Sequence, residues 1–119
     1  MGYEQVIYSS AARTATPTAV EVNTRRFKSV VLVLDVTAIV TAPSVVVTID
    51  RKDNTSGKYI NILTSAAVTT VSTNTYRFGL GAPVTANISA NEPMPSVFRV
   101  TVTHGNGNSI TYTCSAHLN

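Results

Sequence analysis

The sequence predicts an all-β fold: an antiparallel β-sandwich or flattened barrel of about seven to eight strands with an extended N-terminal arm. Three observations carry this. Charged residues make up 13% of the chain against 44% hydrophobic, and the polar positions are filled largely by Thr, Ser and Asn, which favour strands and turns over helix interiors. Apolar residues recur at every second position in run after run, the period of a half-buried strand. Gly, Pro and Asn clusters punctuate those runs at short spacing, and no stretch sustains a helical period. At 119 residues the chain is one domain, long enough to bury about two-thirds of its unfolded surface without a disulfide or metal.

Residues 1–17 read as the arm. Gln5-Val6-Ile7-Tyr8 suits a short strand, but Ser9 to Pro17 is small and polar with no apolar period. Residues 18–119 read as the single β-sandwich domain. Thr18 to Val22 alternates weakly. Ser29 to Val36 is a continuous β-branched and Leu run, the pattern of a strand covered on both faces. Thr41-Ala42-Pro43 turns the chain, and Val45, Val47 and Ile49 then alternate with Val46, Thr48 and Asp50. The polar loop 51–58 ends at Gly57-Lys58 and leads into Tyr59-Ile60-Asn61-Ile62-Leu63, which predicts a β-hairpin with a long connection. Val71 to Phe78 places Tyr76 and Phe78 on one face, Thr75 and Arg77 on the other. Residues 84–92 form a connection with room for one helical turn. Finally Phe98, Val100 and Val102, then Ile110, Tyr112 and Cys114, alternate on either side of the turn His104 to Asn108, which predicts a terminal hairpin.

Several function classes recede on composition. The net charge of +3 and pI near 9.3 are mildly basic. The nine Lys and Arg are spread out among few aromatics and no Trp, unlike the concentrated stripe of a nucleic-acid reader. A single cysteine, Cys114, forms no internal disulfide, so the chain does not depend on an oxidising compartment. The start of the chain lacks a signal-peptide pattern, Val6 stands where a myristoylation motif needs Ser or Thr, and the longest apolar run, Val30 to Leu34, is too short to span a bilayer. These features predict a soluble or assembled protein made in the cytoplasm.

No cofactor, metal or catalytic set is expected. Cys114, His104 and Asp35 are the residue types of a nucleophile, base and acid, but Cys114 alternates with core residues and the others do not converge on it. Asp50, Asp53 and Asn54 suggest calcium, yet Arg51, Lys52 and Lys58 in the same loop oppose a cation. Gly79-Leu80-Gly81 and Gly105-Asn106-Gly107 open no helix and read as turns. The candidate partner-contact residues are Arg13 in the arm, the cluster Arg25, Arg26, Phe27 and Lys28, and Arg51 and Lys52 at the hairpin. Arg and aromatic side chains are frequent interface anchors, and Lys and Arg also guard strand edges.

Certain stretches resemble small structural proteins of tailed bacteriophages and prophages. They are Tyr8-Ser9-Ser10-Ala11-Ala12-Arg13-Thr14-Ala15-Thr16, Val33-Leu34-Asp35-Val36-Thr37-Ala38, Ala42 to Asp50, Ser56-Gly57-Lys58-Tyr59, Val84-Thr85-Ala86-Asn87, Phe98 to Gly105, and Ser109-Ile110-Thr111-Tyr112. The resemblance spans nearly the whole chain through β patterns of low specificity. It implies a virion component on the capsid exterior, a decoration or cement protein whose partner is the major capsid protein. It also implies a homo-oligomer, with a trimer favoured by analogy with the class. On this reading the arm reaches a neighbour, and removing residues 1–17 leaves a folded domain that no longer binds capsids. A tail or head-tail structural protein is the alternative within the virion. A carbohydrate-binding module, with Tyr3, Tyr59 and Tyr76 as the available platforms, is the alternative of another class.

Overall fold

The computed structural model describes residues 2–119. Nine strands follow in order: β1 Tyr3–Arg13, β2 Val20–Asn23, β3 Ser29–Ile39, β4 Val45–Lys52, β5 Tyr59–Thr64, β6 Ser72–Gly79, β7 Ser89–Asn91, β8 Val97–His104 and β9 Ile110–Leu118. They form a five-stranded sheet, β1-β9-β3-β6-β7, and a four-stranded sheet, β2-β8-β4-β5. All pairings are antiparallel except β6 with β7. The period-two pattern explains the packing. Leu32, Leu34, Phe78 and Tyr112 project inward from one sheet, Val22, Ile49, Phe98 and Val100 from the other, and all are buried. Phe78 and Phe98 meet across the two layers edge to face, with centroids 5.2 Å apart. The architecture is therefore the expected sandwich.

Four local expectations change. The predicted arm is extended, but Tyr3–Arg13 lies along β9 as the edge strand of the larger sheet, with Ile7 and Tyr8 in the core; Met1 lies outside the described residues. Two successive register shifts, between Val6 and Tyr8 and between Tyr8 and Ala11, break the alternation through Ser9 and Ser10, which is why the pattern reads as unstructured. With β1 and the short β7, the strand count is nine. The predicted terminal hairpin is absent, because β8 pairs in the smaller sheet and β9 in the larger. The chain arches between layers, and the apolar rows of both strands face one core. In β3 only the inner face is buried, while Val31 and Val33 look outward half-exposed. The connection 84–92 makes the one turn for which the sequence left room, Ser89 N–H donating to the Thr85 carbonyl at 2.9 Å, before β7 begins.

Strand direction decides what meets at each end. One end gathers the start of β1, the 24–28 loop, the 53–58 loop, the end of β6 and the 92–96 segment, since Tyr3 and Val30 both pair with Leu118, Ser29 pairs with Gly79, and Asn23 pairs with Val97. The other end gathers Arg13, the 40–44 turn and the 105–109 arch.

Candidate functional site

The first end carries the basic residues. The 24–28 loop is pinned before any side chain is placed. The buried Thr24 hydroxyl donates to the Pro95 carbonyl, Phe27 N–H donates to the Thr24 carbonyl at 3.0 Å, and Lys28 and Ser29 N–H both donate to the Asn119 carbonyl at 2.9 and 3.0 Å. Arg25 sits at φ 54°, and its N–H donates to Asn23 Oδ1 at 2.9 Å. This tight turn projects Arg25, Arg26 and Lys28 into solvent. Among the described residues, none of the three forms an ion pair with a carboxylate.

Phe27 packs against the core and forms a ridge between two shallow depressions. One, of about 540 Å³, is bounded by Arg25, Arg26, Lys28 and Asn119. The other, of about 420 Å³, is bounded by Lys28, Leu80, Pro93 and Met94. Tyr3 stacks on Phe27 at 6.0 Å and 15°, and the Arg25 guanidinium lies 5.8 Å over the Tyr3 ring. Arg51 donates to the Pro93 carbonyl at the rim. The chemistry is an apolar centre within a cationic border, suited to an acidic protein surface with a hydrophobic patch.

The structure thus brings Arg25, Arg26, Phe27, Lys28 and Arg51 together. Lys52 is at the same end but is engaged: its ammonium lies 3.3 Å from the Glu21 carboxylate. Glu21 also accepts the Tyr59 hydroxyl. That hydrogen bond first, and Lys52 second, hold the Glu21 carboxyl below its usual range. Neighbouring Arg99 stacks 3.6 Å over Tyr59 and pairs with Asp50 at 3.2 Å. Glu21, Arg99, Asp50 and Asn61 stand in register across all four strands of the smaller sheet. Cross-strand pairing of opposite charges stabilises such a face. The sequence reading missed this row, because only the register places these outward residues side by side.

Arg13 is not part of the basic end. At the opposite end its guanidinium lies 5.5 Å from the Tyr8 ring centre and 4.8 Å from that of Tyr112. It donates to the carbonyls of Ser9 at 2.8 Å, Ala11 at 3.2 Å and Tyr112 at 3.1 Å. The first two bonds fill carbonyls of the β1 bulge and the third ties it to β9, so Arg13 is a structural clamp.

The residues of the imagined catalytic set do not meet. Asp35 faces outward and accepts the Thr73 hydroxyl at 2.8 Å, whereas Cys114 is buried in the core. Burial pushes the Cys114 thiol and the Tyr112 phenol each up to about 12, so the thiol stays protonated. Burial, and then Arg13, pushes His104 below its usual value, and its Nε2 lies 3.1 Å from the Tyr112 hydroxyl. Asp53 accepts from the Ser56 hydroxyl and Thr55 N–H, and no group of three or more His, Cys, Asp or Glu able to hold a metal occurs among the described residues. Of the aromatic platforms, Tyr76 is buried, Tyr59 lies under Arg99, and Tyr3 is stacked on Phe27.

A third depression, of about 590 Å³, lies on the flank between residues 66–76 and the 86–88 turn, with walls of Thr, Ala and Asn. Comparison of the chain with protein-family models, with curated proteins and with solved structures finds no match.

Proposed function

We propose that this protein is a structural component of a tailed-bacteriophage virion, binding as a homo-oligomer to the outer capsid surface where major capsid subunits meet. The observation that supports this reading best is the Phe27 ridge with Arg25, Arg26 and Lys28 unpaired around it. Cations held out by a pinned loop, beside exposed apolar surface, fit docking on an acidic protein surface. Each contact is modest, but many copies on one lattice add their free energies against the outward pressure of packaged DNA. The sequence resemblance supplies the virion setting and the basic end supplies the means of attachment.

Cryo-electron microscopy of particles with and without the protein tests the placement. Regular density on the head lattice is expected; density confined to the tail, or none on the particle, refutes the capsid reading. The triple variant Arg25→Glu, Arg26→Glu, Lys28→Glu is expected to weaken particle binding by about tenfold or more, because like charges then face an acidic surface. Unchanged binding by a folded triple variant removes the basic end from the attachment.

A further inference from the structure

Charge is distributed unevenly over this molecule. Residues 59–91 carry a single charged side chain, Arg77, in a chain with nine basic and six acidic residues. Arg77 projects outward from the larger sheet, alternating with the buried Tyr76 and Phe78. The rest of the segment builds one flank: edge strands β5 and β7 and the connections 65–71 and 80–88. Asn87 Nδ2 ties the 86–88 turn to the Thr64 carbonyl at the end of β5, at 2.9 Å, and the depression between residues 66–76 and 86–88 joins the two connections. Five of the eight large apolar side chains exposed among the described residues belong to this segment: Ile60, Val71, Val84 and Ile88, and Leu80 where it meets the Lys28 depression of the basic end. Val84 is 76% exposed and Ile60 54%.

We propose that this uncharged flank is where a second copy of the chain docks. Charge depletion with apolar content marks the centre of protein interfaces. The choice of occupant follows from electrostatics. Two copies meeting through this flank bring neutral surface to neutral surface and strip no ion of its water. Two copies meeting through the basic end set Arg25, Arg26 and Lys28 against like charges. An acidic partner gains little from a flank whose single cation, Arg77, projects from the outer face of the larger sheet. The opposite flank is less suited, since β1 is bulged, with its Ser9 and Ala11 carbonyls taken by Arg13, and its two edge strands carry carboxylates, Glu4 on β1 and Glu21 on β2. The inference rests on the assembly reading above for the expectation of several copies, and it adds the surface through which they join.

Sedimentation of the full chain, from low to high micromolar concentration, is the test. The wild type is expected to rise from 12.6 kDa to a multiple of that mass. Ile60→Lys and Val84→Lys each place a charge on the flank at an exposed side chain, and each is expected to weaken self-association about tenfold or more. Arg25→Glu with Arg26→Glu is expected to leave it unchanged. A wild type that stays at 12.6 kDa throughout overturns the inference, as do Lys variants that associate like the wild type. Should one Lys variant fail to melt cooperatively, the other and the wild-type mass still decide. A self-associating protein that binds no particle counts against the capsid reading alone. A monomer that decorates particles, and loses them on Ile60→Lys, counts against self-docking and assigns the flank to the capsid partner.

Discussion

Arg13→Ala is expected to lower stability by about 2–3 kcal/mol, though the residue has the look of a surface contact. The guanidinium lies against the edge-to-face pair of Tyr8 and Tyr112, which at a half-exposed position is worth about 1 kcal/mol. Its bond to the Tyr112 carbonyl is partly buried, and losing a charge-assisted bond there costs about 1–1.5 kcal/mol. The Ser9 and Ala11 carbonyls are exposed and turn to water at little cost. Loss of the side-chain stem from over the two rings adds a fraction more. For 119 residues the unfolding entropy is about 250 cal/mol/K, so the melting temperature falls by about 8–12 °C. Differential scanning calorimetry measures this, with Arg25→Ala as the exposed control, expected within about 2 °C of wild type. Arg13→Lys, which keeps the charge but loses the planar fork, is expected to recover less than half. An Arg13→Ala protein that melts within about 2 °C of wild type refutes the clamp, and particle binding lost by that protein makes Arg13 a contact after all.

Three further outcomes follow from the core and the basic end. Cys114 and Tyr112 have folded-state values raised to about 12, so both groups favour the folded state while protonated; that contribution is complete below their unfolded values near 9 and 10 and is lost as pH rises from there through about 12. Urea midpoints are expected to fall steadily above pH ~9, and alkylation of Cys114 at neutral pH is expected to proceed only at the rate of unfolding; rapid labelling of the native protein contradicts the buried assignment. Gly79→Ala is expected to destabilise by about 1–3 kcal/mol, because an added Cβ lies 2.9 Å from the Lys28 carbonyl oxygen and 3.1 Å from Ser29 Cα, where the start of β3 would have to move. A shift under about 0.5 kcal/mol shows that the 24–28 loop yields there.

Much of this structure is legible in the residues taken one strand at a time. A side chain's face along a strand depends only on its own parity, so the alternation in 45–50, 72–78, 97–103 and 110–118 marks the buried row of each strand without reference to any neighbour. The hairpin of β4 and β5 is equally local, since its two arms are joined by one polar loop. The residue types of the basic end were visible as well, because Arg25, Arg26, Phe27 and Lys28 are consecutive.

Partnership was not legible, because parity says which face is buried and nothing about which strand lies alongside. The same alternation in β8 and β9 fits a hairpin or two halves of a core, and the tertiary structure chose the second because both apolar rows are completed only by the opposite sheet. β1 escaped notice because its bulges interrupt the period that reveals a strand. Arg13 belongs to the same case: a lone cation after a small polar run becomes a clamp only when β9 brings Tyr112 beneath it. The convergence of Arg51 on the 24–28 loop, and the row of Glu21, Arg99 and Asp50, depend on strand direction and register. Those are set by the summed packing of both sheets. The sequence by itself determined the strands and their inward faces, through local sterics and alternation; the tertiary structure decided their neighbours, and with them what stands at each end and along each flank.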